Sequence, residues 1–134
     1  LYKKKIYYFI ISIFSLIGAF TSEALIKIAV GRVRPINALI DVSGYSFPSG
    51  HATMATIFFL LILYSYENKI KNTYLRVLFI SSNVFLFLII SFSRIYLGVH
   101  WLSDVIAGTA LGIIWFTFTI LLKRTIEYSR FLKH

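Results

Sequence analysis

The sequence predicts an all-α fold, a polytopic transmembrane helix bundle with four spans. Three observations predict it. The 134 residues are 58% hydrophobic with a mean hydropathy of +0.79, and only 14% are charged, too few for a water-exposed surface. Four runs, at about 6–26, 52–66, 77–92 and 105–122, are apolar nearly all round, whereas a soluble bundle shows polar faces at helical period. Tyr7, Tyr8, Tyr64, Tyr66, Tyr74, Tyr96 and Trp101 gather near the run ends, as in an interfacial aromatic belt.

The elements follow in order within a single domain, 1–134. The first span, 6–26, comes after Lys3, Lys4 and Lys5; it is as long as a full crossing and lacks a small-residue cleavage site, so it does not read as a signal peptide. The longest loop, 31–49, holds the breakers Pro35, Gly44 and Pro48. The second and third apolar runs are short, and their flanking motifs extend them to spans at about 50–66 and 75–93, joined by a basic link. Ser81, Ser82 and Asn83 in the third span read as interhelical hydrogen bonding. The fourth span, about 104–122, carries Gly108-x-x-x-Gly112, expected to pack closely on another helix of the chain.

Composition also excludes functions. There is no cysteine, so disulfide, zinc-thiolate and thiol chemistry are absent. A net charge of +9 would suggest nucleic acid in a soluble protein. Here the cations sit between apolar runs, which points to membrane topology and lipid headgroups; no nucleic-acid partner is expected.

Three polar motifs stand at the ends of apolar runs: Lys27 with Arg34-Pro35, then Pro48-Ser49-Gly50-His51, then Ser93-Arg94 with His100 and Asp104. Charges kept in a membrane protein mark function. Arginine offers a planar fork of donors to phosphate oxygens and lysine a point charge; Arg32 reads as a basic flank that snorkels to headgroups. Pro48 suits the first turn of a helix, which leaves Ser49 and Gly50 to present backbone N–H groups to an anion. His51 lies in the same turn, placed to donate a proton. His100 and Asp104 are spaced i, i+4, so on a helix they share a face, and a carboxylate on one ring nitrogen leaves the other to attack. An ion pair capping the fourth span is the plainer reading of that pair. Zinc on two histidines and an aspartate is a weaker rival, since Lys27, Arg34 and Arg94 repel a dication.

These motifs, Lys-x6-Arg-Pro, Pro-Ser-Gly-His and Ser-Arg-x5-His-x3-Asp, resemble the signature of the type-2 phosphatidic acid phosphatase superfamily, in order and without substitution, over roughly residues 26–104. The resemblance implies an integral-membrane phosphatase acting on a lipid phosphomonoester or diphosphate. It implies His100 as the nucleophile that forms a phosphohistidine, Asp104 as its orienting group and His51 as the acid for the leaving oxygen. Lys27, Arg34, Ser49, Gly50 and Arg94 would hold the phosphoryl oxygens, with no metal and no cofactor. Candidate substrates are undecaprenyl diphosphate, phosphatidylglycerol phosphate and phosphatidic acid. The polyprenyl carrier comes first, because bacterial members with an outward site commonly recycle it. Membrane members usually have six spans with the signature on the last four, so the resemblance also implies a further pair before Leu1. An inactive fragment of the family, or a vanadate-dependent haloperoxidase-like protein, is the alternative.

Charge asymmetry sets the expected orientation. Lys3, Lys4, Lys5, Lys69, Lys71, Arg76, Lys123, Arg124, Arg130 and Lys133 fall on one face of a four-span chain. The other face has only Lys27, Arg32, Arg34 and Arg94. Basic loops stay in the cytoplasm. A multi-pass plasma-membrane protein is therefore expected, with both termini cytoplasmic and the site extracytoplasmic.

Overall fold

A computed structural model describes residues 2–131 of the chain; Lys133, counted in the charge argument, lies outside them. The described residues form four α-helices and no strand: α1 (Tyr2–Val30), α2 (Gly50–Tyr66), α3 (Thr73–Tyr96) and α4 (Leu102–Phe131). A single 3-10 turn (Glu67–Lys69) follows α2. Three helices contain stretches long and apolar enough to cross a membrane, Phe9–Val30, Thr73–Tyr96 and Leu102–Ser129. The fourth, α2, has 17 residues and a rise of about 26 Å, against roughly 30 Å for a hydrocarbon core. Its cap Ser49 and, in its first turn, Ala52 and Thr53 are buried in the protein.

The helix ends have local causes. Gly31 at φ 61° ends α1, a conformation that suits a residue without Cβ. Ser49 caps α2, its hydroxyl accepting from the Ala52 N–H at 3.5 Å. Pro48 therefore precedes the cap rather than occupying the first turn. Asn72 caps α3, accepting from the Leu75 N–H at 3.1 Å.

Packing runs mainly between α2 and α4. A Cβ on Gly108 would lie 2.4 Å from the Ser49 carbonyl oxygen, and one on Gly112 would lie 2.6 Å from Thr56 Cβ. The two glycines thus let α4 press against α2 in the same chain. Across α1, Trp115 lies over Gly18 and donates to Ser22 Oγ at 3.2 Å. The buried set is small, with Ala19, Ala52, Ile57, Val99 and Val105 among it, while Phe9, Ile17, Phe20, Phe85 and Ile114 are exposed. That inversion suits helices whose outer faces meet lipid. The polar residues of α3 differ from expectation. Ser81 bonds the Val77 carbonyl and Asn83 the Phe79 carbonyl, both at 2.8 Å, so they turn back on their own helix instead of bridging to another.

The alternation of four helices puts loop 31–49 and the α3–α4 turn at one end of the bundle. The α2–α3 link lies at the other end, with the start of α1 and the end of α4. Gly98, at φ 66°, lets the α3–α4 turn meet the loop: a Cβ there would lie 2.9 Å from the Asn37 carbonyl oxygen. Leu39 N–H donates to the Leu97 carbonyl at 2.9 Å across the same contact.

Candidate active site

The three motifs converge at that loop end. Phe20, Glu23, Lys27, Arg34, Gly50, His51, Met54 and His100 line one cavity of about 350 Å³. Helix α1 supplies Phe20, Glu23 and Lys27 at spacings of three and four residues, which puts them on one face. The loop supplies Arg34, the start of α2 supplies Gly50 and His51, and the α3–α4 turn supplies His100.

The loop is folded around its cations. Lys27 Nζ donates to the Pro48 carbonyl at 2.7 Å and the Tyr45 carbonyl at 3.2 Å, and pairs with Glu23 at 3.3 Å. The guanidinium of Arg34 donates to the carbonyls of Val99 (2.8 Å), Gly44 (3.0 Å), Tyr45 (3.3 Å) and Ser43 (3.4 Å). These bonds satisfy carbonyls that no helix ladder serves and fix both charges beside the cavity.

His100 is 5% exposed and precedes α4 instead of lying on it. Its Nδ1 is 2.8 Å from the Ser46 carbonyl. A carbonyl can only accept, so Nδ1 carries the proton and Nε2 keeps its lone pair. Burial, then Arg34 and Lys27, push its pKa down to about 4, against the Ser46 bond and Asp104, which raise it. The ring is neutral at pH 7, as a nucleophile requires.

Asp104 differs from the expected arrangement. Its Oδ2 is 3.6 Å from His100 Nδ1, beyond hydrogen-bond length. The i, i+4 argument assumed one continuous helix, but α4 starts at Leu102 and His100 sits in the bend before it. Asp104 Oδ2 instead accepts from the Trp101 N–H at 2.9 Å, reaching back to the helix start as an N3 residue does. Its Oδ1 takes Arg32 Nη1 at 2.7 Å, and that same nitrogen donates to Ser103 Oγ. The fully buried Asp104 thus has a cation that the sequence reading had left facing headgroups.

The remaining residues fall around the cavity. Ser49 is buried behind it, its N–H donating to the Asp104 carbonyl at 2.9 Å, so this N–H is not open to an anion. Gly50 lies against Glu23: a Cβ there would stand 2.5 Å from Glu23 Oε1. Arg94 is in the last turn of α3 with Nε 3.1 Å from Ser93 Oγ, and is not among the lining residues. Sequence reasoning missed Glu23, Arg32 and Ser46. The only signal was that a buried Asp104 would require a cation; nothing marked a serine for its carbonyl. Among the described residues, no group of three His, Asp or Glu side chains is placed to hold a metal ion.

The family model of the PAP2 superfamily matches residues 7–128. Phosphatidylglycerophosphatase B of Bacillus subtilis (strain 168) is 34% identical over 95 residues, covering 69% of this chain and 46% of that protein. Undecaprenyl-diphosphatase of Sulfolobus acidocaldarius is 32% identical over 93 residues, covering 64% of this chain and 41% of that protein. The chain thus spans less than half the length of these two relatives. The crystal structure of a transmembrane PAP2-type phosphatidylglycerolphosphate phosphatase from Bacillus subtilis superposes with a TM-score of 0.72 at 24% identity, over 87% of this chain and 59% of that one, which shows a shared fold. Matched by the family model over most of its length, with the signature residues at one end of a helical bundle, this chain belongs to the PAP2 superfamily.

Proposed function

We propose that the chain carries the site of a lipid phosphate phosphatase that works through a phosphohistidine. One observation carries the reading: Lys27, Arg34, His51 and a neutral His100 line a single cavity. His100 Nε2 attacks phosphorus while the proton stays on Nδ1, hydrogen-bonded to the Ser46 carbonyl. The P–O bond to the lipid breaks, and His51 gives its proton to the departing oxygen. Water then attacks the phosphohistidine, His51 taking its proton, and P–N cleavage returns His100 and inorganic phosphate. Lys27 and Arg34 neutralise the phosphoryl oxygens, the main demand of phosphoryl transfer. Asp104, anchored by Arg32, supports the ring electrostatically from 3.6 Å.

A lipid substrate suits the cavity wall. Phe20 is 64% exposed on the outer face of α1 and borders the cavity with Met54, an apolar way in from the bilayer. The two relatives' names point to a glycerophospholipid phosphate and a polyprenyl diphosphate. We favour undecaprenyl diphosphate, with phosphatidylglycerol phosphate and phosphatidic acid next. The site faces outward, because the basic residues collect at the other end of the bundle.

The test is phosphate release in detergent from these three lipids, with and without EDTA. Turnover unchanged by EDTA and lost in His100→Ala is expected. A rate that collapses with EDTA and returns with magnesium or zinc refutes the mechanism.

A further inference from the structure

The end of the bundle away from the candidate site holds a second cavity, of about 400 Å³, between α1, α2 and α4. Ile11 in its wall is sixteen residues of α1 from Lys27, a rise of about 24 Å. Asn68, Lys69 and Lys123 form the cavity's outer, polar rim; deeper, Ile11, Leu61 and Ile120 form an apolar side, beside the hydroxyls of Ser12 and Thr119.

Aromatic rings hold both rim lysines in place. Lys123 Nζ donates to Tyr64 Oη at 2.9 Å and sits 4.7 Å from the centre of that ring. Lys69 Nζ sits 4.4 Å from the centre of the Tyr66 ring. Ammonium groups held this way remain at the cavity instead of extending into water. Lys71, Arg76 and Arg124 lie at the same end, against the carboxylates Glu67 and Glu127, so the field there is positive.

We propose that this cavity binds the headgroup of an anionic phospholipid from the leaflet opposite the candidate site. Its phosphodiester sits between Lys69 and Lys123, and its acyl chains run against Ile11, Leu61 and Ile120. Basic pockets between helices at headgroup depth recognise lipid in this way. The apolar side selects a lipid over a free anion. The site is separate from the phosphatase reading and stands without it.

The test is native mass spectrometry of the full chain in a neutral detergent, with phosphatidylglycerol and phosphatidylcholine offered in equal amounts. The unaltered chain should retain phosphatidylglycerol at least tenfold over phosphatidylcholine. Lys69→Gln/Lys123→Gln should bring the preference within twofold. Lys71→Gln/Arg76→Gln, with the same loss of charge outside the cavity, should keep it. Tyr64→Phe removes only the hydroxyl that holds Lys123 and should lower the preference even if the double variant does not fold. Equal retention of the two lipids by the unaltered chain overturns the proposal. So does phosphatidylglycerol held as well by the cavity variants, which would place it elsewhere, or equal loss in the Lys71/Arg76 control. Displacement of the lipid by low-millimolar inorganic phosphate would make this an anion site and overturn the lipid reading.

Discussion

Arg32→Gln tests the site where the structure departs most from the sequence reading. Arg32 donates to Asp104 at 2.7 Å, and Asp104 has no exposed side-chain surface while Arg32 keeps 39%. A hydrogen bond to a charged group contributes about 1.5–3 kcal/mol. The exposure of Arg32 puts this one at the lower end, because water screens the pair. Asp104 also keeps its bond from the Trp101 N–H, so the carboxylate is not left unpartnered. If the loss falls on His100 in the transition state, kcat should drop roughly tenfold, since about 1.4 kcal/mol is a factor of ten. Arg32 does not line the cavity, so KM should change little. Arg32→Lys should recover part of the rate, since it keeps the charge but loses the planar guanidinium whose Nη1 serves both Asp104 and Ser103. The assay is steady-state phosphate release on a lipid phosphate in detergent, with heat inactivation measured beside it. A kcat within twofold of the unaltered chain, or a loss confined to KM, would refute the positioning role.

The two histidines should separate by leaving group. His100→Ala should abolish turnover on every substrate. His51→Ala should cost ~10²–10⁴-fold on a lipid ester and much less on p-nitrophenyl phosphate; equal losses would remove His51 from the acid role. Because burial and nearby cations lower the His100 pKa to about 4, its neutral form is favoured by folding. The stabilisation is complete above the unfolded value near 6.5 and is lost as pH falls through 4. The ring nitrogen shifts of His100, followed by NMR in a His51→Gln background, should move with a midpoint near 4; one near 6.5 contradicts the buried geometry. For orientation, Asn37→Cys should react with an impermeant maleimide in intact cells, and Lys71→Cys only after lysis. The opposite labelling would place the site in the cytoplasm. Gly98→Ala should lower the heat-inactivation midpoint, because it combines φ 66° with a Cβ 2.9 Å from the Asn37 carbonyl oxygen; an unchanged midpoint would mean that the loop contact gives way easily.

Much of this protein is legible in its sequence. Hydropathy alone separates α1, α3 and α4, because a lipid-facing helix must be apolar all round and its length is set by the bilayer. The spacing of Gly108 and Gly112 foretold the close approach of α4, since a missing Cβ matters only where another backbone comes near. The residues of the cavity were largely legible too: Lys27, Arg34, Gly50, His51 and His100 carry charges or conformations that a membrane protein keeps only for a reason. Partnership was not legible. Whether His100 lies on α4 or just before it depends on where the helix begins, and that start is settled by Asp104 reaching the Trp101 N–H. Once the ring leaves the helix, its Nδ1–H donates to the Ser46 carbonyl, a group that every residue has and no side chain announces. Arg32 turns from the lipid surface to Asp104 because Gly31 breaks α1 one residue earlier and the 31–49 loop folds over the helix ends. Residue types in a sequence name the chemistry available; which donor meets which acceptor is decided by loop closure, and only the folded chain holds that.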